Sequence, residues 1–127
     1  MIYLASPYSH PDKAVEQARY DEAVRALAAI AKAGECVVSP IAMCHEAARR
    51  HGLPTDAAWW ESFNTRIMNQ CSKCLVLCID GWRESVGVQQ EVRHFRSREL
   101  RVALLIPHLH RYLINGRDME EEFQPCF

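Results

Sequence analysis

Six apolar residues stand in a row from Cys74 to Ile79, and Asp80-Gly81 ends the run abruptly. A membrane span takes ~20 apolar residues, so this run is too short to be one. A half-exposed strand or helix would interrupt it with polar residues at regular intervals. The run therefore reads as a strand covered on both faces, as in a parallel sheet wrapped by helices.

The rest of the chain supplies the other pieces. Ile2-Tyr3-Leu4-Ala5 is a short strand, broken by Ser6-Pro7-Tyr8-Ser9. His10-Pro11-Asp12 opens a helix with proline in its first turn. Tyr20, Val24, Leu27, Ala28 and Ala31 line one face of that helix, and Gly34 closes it. Cys36-Val37-Val38 is a second strand, stopped by Ser39-Pro40. A short helix is expected around His45 to Arg50, ended by Gly52 and Pro54, and Thr55 or Asp56 caps another running to about Gln70. Past the Cys74–Ile79 strand come a loop, Asp80 to Glu84, and a helix from Val86 to about Arg98 capped by Ser85. Val102 to Ile106 is a last buried strand, stopped by Pro107. From His108 onward the sequence reads as polar and weakly patterned. Alternating strands and helices predict an α/β fold in a single domain over 1–127, with a parallel sheet of four to five strands.

Composition narrows the function classes. A chain of 127 residues, 49% hydrophobic and 24% charged, can build a core without disulfides or metal. Fifteen Lys and Arg against 16 Asp and Glu argue against a nucleic acid polymer as partner. The opening MIYLASPYSHPDK lacks the basic and long apolar regions of a signal peptide, so no membrane association and a cytoplasmic location are expected. The six cysteines are then reduced thiols. Cys71-x-x-Cys74 has no second CxxC, His45-Glu46-Ala47-Ala48-Arg49 lacks the second histidine of a zincin helix, and His108-x-His110 is isolated. No metal and no cofactor are expected.

Ligands of such sheets bind at the carboxyl ends of the strands. Three loops leave those ends: Ser6–Ser9, Ser39–His45 and Asp80–Ser85. The third is the most informative. Helix side chains lean toward the N-terminus, so Glu91 projects over Gly87, which has no side chain to fill the space. Ser85 adds a hydroxyl and the free N–H groups of a helix start, which suit an anion. The same residues also suit a plain N-cap and a solvated glutamate. Trp82 reads as a pocket wall. Trp59 and Trp60 are adjacent on a helix, so one of them is expected in the core.

Two segments, Tyr3-Leu4-Ala5-Ser6-Pro7-Tyr8 and Asp80-Gly81-Trp82-Arg83-Glu84-Ser85-Val86-Gly87-Val88-Gln89-Gln90-Glu91, resemble the nucleoside 2-deoxyribosyltransferase superfamily. The closer likeness is to its small bacterial and phage branch with a DGW-x-x-S-x-G-V-x-x-E signature, over roughly residues 1–106. The resemblance implies a flavodoxin-like three-layer sandwich and an enzyme that cleaves N-glycosidic bonds. It implies that Glu91 attacks the anomeric carbon, with Asn64 and Tyr8 as further catalytic residues. Ala5, Ser6, Pro7, His45, Asp80, Trp82, Ser85 and Gly87 are the implied substrate-binding set. Serine rather than an acid six residues before the nucleophile points to hydrolysis of a (deoxy)nucleoside 5′-monophosphate. Base exchange by a 2-deoxyribosyltransferase is the close alternative. The first loop lacks the family's glycines, and Asn64 stands near where relatives carry aspartate, with Glu61 one turn earlier as a stand-in. A nucleotide-binding module with impaired catalysis is the reading from another class. The resemblance also implies a homo-oligomer, dimer or tetramer, with shared active sites; the Trp59–Trp60 helix is the candidate interface.

Overall fold

The run at Cys74 becomes a central strand whose side chains alternate between two cores. In the computed structural model, which describes residues 1–123, β3 spans Lys73–Leu77. Leu75 and Leu77 point to one face and Cys74 and Val76 to the other, all four buried. Strand β1 (Ile2–Ala5) divides in the same way, with Ile2 and Leu4 on the first face and Tyr3 and Ala5 on the second. Helix α1 (Lys13–Lys32) follows β1 and packs Ala26 and Ile30 on the first face. Strand β2 (Val37–Val38), α2 (Pro40–His51) and α3 (Ala57–Met68) precede β3. Helix α4 (Val86–Ser97) follows it and, with α3, covers the second face through Met68, Val88 and Phe95. Strand β4 (Arg101–His108) completes the parallel part of the sheet.

The sheet has six strands in the order β2-β1-β3-β4-β5-β6. Its first four are parallel, and β5 (Arg111–Ile114) and β6 (Arg117–Asp118) are antiparallel. A short helix, α5 (Met119–Glu122), follows and seats Met119 in the first core. Chain connections leave β1 and β3 in opposite directions along the sheet. This makes the crevice above the carboxyl ends of β1 and β3 the topological switch point, where ligands of open α/β sheets bind.

Several expectations need correcting. The sheet is mixed and six-stranded, not a parallel sheet of four to five strands. The segment after His108 forms a hairpin because Asn115-Gly116 supplies two consecutive positive φ angles, 49° and 88°, between the paired Ile114 and Arg117. That is the turn chemistry a two-residue hairpin requires. Its Tyr112 and Ile114 alternate into the first core. Pro107 does not stop β4: β3 ends opposite Leu105, so no neighbour on that side needs the N–H that proline lacks. Helix α2 starts at Pro40, not near His45, because Ser39 caps it by accepting from Ala42 N. The Ser39–His45 segment is therefore helical rather than a loop. Cys126 lies outside the described residues.

Candidate active site

Helix α4 carries the central group. Val88, Val92 and Phe95 recur at helical spacing and face the second core. Glu91 lies three residues after Val88 and beside Val92, so the apolar stripe of α4 contains a carboxyl group. Its residue is part-exposed at the rim while the carboxyl is enclosed by protein, and loss of hydration pushes its pKa from 4.5 to about 7. The opposing influence is Tyr3 on β1, whose hydroxyl faces the carboxyl and favours its ionised form. Tyr3 is fully buried, and its Oη has no hydrogen-bond partner among the described residues. Burial and the facing Glu91 both push the phenol pKa well up, so Tyr3 stays a donor.

Gly87 sits in α4 without a positive φ and without a steric demand. A Cβ there would meet only Glu91 Oε1 at 3.8 Å and Ser85 Oγ at 3.9 Å, ordinary contact distances. Glycine weakens a helix by up to ~1 kcal/mol relative to alanine, and packing does not require it here. What the missing side chain leaves is open space between a carboxyl and a hydroxyl. Ser85 Oγ accepts from Val88 N at 3.2 Å as the N-cap, which leaves its O–H free to donate. The loop from Cys78 to Glu84 frames an adjacent recess of about 230 Å³. Trp82 packs against the second core from this loop, with the Arg83 guanidinium 5.1 Å from its ring centre. Asp80 is exposed, and its carbonyl accepts from Arg19.

The first loop contributes buried residues. Ala5 and Pro7 are fully buried and Ser6 is 5% exposed, yet Ser6 Oγ has no hydrogen-bond partner among the described residues. Asn64 Oδ1 is a third buried atom without a partner among the described residues. Asn64 precedes Ile67 and Met68 by three and four residues, on the face of α3 that meets α4 in the second core. Buried polar atoms are nearly always satisfied, so orphans of this kind mark a place that a ligand or water completes.

Tyr8 and His45 form a cluster of their own. Tyr8 Oη bonds His45 Nδ1 at 2.6 Å, His45 Nε2 meets Gln17 Oε1 at 3.1 Å, and Tyr20 stacks on the imidazole at 4.1 Å. His45 is thus a satisfied, buried side chain between α1 and α2, and among the described residues no hydrogen bond joins this cluster to Glu91. Glu61 is exposed and lines a surface depression with Ala58, Ser62, Thr65 and Arg66. Neither Trp59 nor Trp60 enters a core; both stay part-exposed and pack with Phe63, Trp59 stacking on it at 5.2 Å. Burial raises the thiol pKa values of Cys71 and Cys74, which keeps both protonated. Among the described residues no helix is long and apolar enough to cross a membrane.

Comparison with known proteins adds a family. The sequence profile of DUF1937, a domain of unknown function, matches residues 1–106. The chain belongs to the DUF1937 family. No curated protein matches it. The DUF1937 match covers everything from β1 to Ile106 in β4, and so the whole Glu91 site, while the β5–β6 hairpin and α5 follow it. Two residues of this DUF1937 domain, Tyr3 and Arg19, stand outside the site residues named from the sequence. Tyr3 had a signal, a hydroxyl in an otherwise aliphatic strand. Arg19, which bridges the first and third loops, had none.

Proposed function

We propose that this DUF1937 domain is an N-glycosidase that hydrolyses a (deoxy)nucleoside 5′-monophosphate through Glu91. One observation carries the reading: Glu91 Oε1 and Ser85 Oγ face the same unfilled position above Gly87, at 3.8 and 3.9 Å. A sugar placed there would have its anomeric carbon beside the carboxylate and its 5′-phosphate toward Ser85 and the N-terminus of α4. The strand order β2-β1-β3-β4-β5 supports the flavodoxin-like sandwich that the reading entails, with β5 reversed.

The chemistry follows from charge. As the C–N bond breaks, its electron pair leaves with the base and positive charge grows on the sugar. The ionised Glu91 stabilises that charge and closes a bond to the anomeric carbon, while the base takes a proton from water. A second water then attacks the same carbon, Glu91 departs with its electron pair, and the water's proton passes to solvent. The Tyr3 hydroxyl steadies the carboxylate between steps. Asn64 offers its unpartnered Oδ1 to a sugar hydroxyl. No cofactor enters this scheme, and a cytoplasmic location goes with its small-molecule substrate.

The test is a panel of nucleosides and 5′-monophosphates, incubated with and without an acceptor base. Free base released from monophosphates without acceptor is the expected result. Exchange of one base for another would establish the 2-deoxyribosyltransferase instead. Tight binding with no turnover would establish an impaired module, the reading that asparagine at position 64 favours.

A further inference from the structure

We propose that Arg19 grips the 5′-phosphate of the nucleotide, a role that rests on the N-glycosidase reading and extends it to the source of positive charge. Helix α1 carries this guanidinium into the switch-point crevice. Nη1 donates to the carbonyls of Tyr8 at 3.3 Å and Ser9 at 3.0 Å, and Nη2 donates to the Asp80 carbonyl at 3.4 Å. Arg19 thereby clasps the first loop to the third. Gly81, at φ 88°, leaves the room that Nη2 occupies, since any Cβ there would collide with it.

All three partners are neutral. Among the described residues no carboxylate forms an ion pair with Arg19. Its carbonyl contacts engage Nη1 and Nη2, and among the described residues Nε has no acceptor. Nε and Nη2 share one edge of the guanidinium plane, and such an edge can bind a phosphate through two parallel hydrogen bonds. A part-buried cation held only by neutral dipoles, with donors to spare, is an incomplete arrangement that an anion completes.

The surrounding charges make the same demand. Ser85 and the α4 N-terminus supply only neutral donors, and Asp80, Glu84 and Glu91 on the same segment are acidic. A phosphate dianion there requires a compensating cation. Arg83 lies on that loop but is exposed and spread over the Trp82 ring. Arg19 lies between the two loops, next to the buried, unpartnered Ser6 hydroxyl's own loop.

The experiment measures binding by titration calorimetry, with a parallel assay for released base. Wild type, Arg19→Gln and Arg19→Lys are titrated with the four deoxynucleoside 5′-monophosphates, the matching nucleosides and inorganic phosphate. Thermal unfolding confirms that each variant folds. Arg19→Gln is expected to weaken the bound monophosphate about 10- to 100-fold, the value of charge-assisted hydrogen bonds, and to leave the nucleoside within about twofold. Arg19→Lys keeps the charge without the fork and should recover part of the loss. Inorganic phosphate should show the same ranking, weaker throughout. Equal losses for nucleotide and nucleoside would reduce Arg19 to a loop clasp and overturn the proposal, as would unchanged nucleotide binding or no anion binding by the wild type. Nucleotide binding that follows Arg19, without base release, would refute the N-glycosidase reaction and leave the phosphate grip standing.

Discussion

Glu91 should cost the protein stability at the pH where it works. Its carboxyl pKa rises from 4.5 to about 7 on folding, because hydration is lost and only Tyr3 opposes the shift. Below pH 4.5 the group is protonated both folded and unfolded, and no penalty exists. As the pH climbs through 7 the unfolded chain has released its proton while the folded one must give it up at a cost. At ~1.4 kcal/mol per tenfold change in proton affinity, less a discount for the rim's exposure, the penalty reaches about 2 to 3 kcal/mol above pH 8. Glu91→Gln keeps the shape and removes the ionisation. Urea unfolding of both proteins from pH 4.5 to 8.5 measures the effect. The two should be nearly equal at the acid end, and the variant should gain about 2 to 3 kcal/mol over wild type by the alkaline end. A difference that stays flat within ~0.5 kcal/mol across that range would refute the buried, strained carboxyl, since an ordinary glutamate changes nothing between pH 5.5 and 8.5. The same variant should lose turnover by orders of magnitude while retaining ligand, so stability and activity move in opposite directions.

Other outcomes follow from single contacts. Gly87→Ala should melt at or above the wild-type temperature, gaining up to ~1 kcal/mol, yet abolish nucleotide binding, because its Cβ occupies the space between Ser85 Oγ and Glu91 Oε1. Ser85→Ala should cost about 1 kcal/mol by losing the cap on Val88 N, whereas Ser85→Asp retains a capping oxygen and should selectively repel monophosphates in parallel melting and binding assays. Activity should rise with pH through about 7 as Glu91 ionises, and Tyr3→Phe should move that limb of the kcat/KM profile upward at little cost in stability, since the lost hydroxyl has no hydrogen-bond partner among the described residues. Light scattering at micromolar concentration should give at least a dimer, with the part-exposed Trp59, Trp60 and Phe63 cluster as the contact; a strictly monomeric mass would remove that assembly from the reading.

The legible parts of the site are those that lie close together in the chain. Ser85, Gly87 and Glu91 share two turns of one helix, so their relative placement follows from helical geometry once Val86–Ser97 is helical. The reading of Glu91 as a solvated residue loses to its neighbours: Val88, Val92 and Phe95 place it on the buried stripe, a pattern visible in the sequence itself. The Asn115-Gly116 turn is equally legible as a hairpin signal, and the two strands it joins flank it directly. His45 and Tyr8 could not be assigned from spacing, because residues 37 apart meet only when α2 is laid against α1.

The sequence by itself determines the alternation of strands and helices, the double-faced burial of the central strand, and the open space above Gly87. Each depends on interactions that repeat within a few residues, where backbone geometry alone sets which side chains meet. Tertiary structure alone decides that Tyr3 confronts Glu91, through the register that pairs Tyr3 with Cys74 and the packing of α4 over that face. It alone brings the guanidinium of Arg19 to the carbonyl of Asp80, 61 residues away. Such contacts depend on strand order and on which face each crossover covers. A local pattern carries neither, because the free energy that selects them is that of the whole core closing at once.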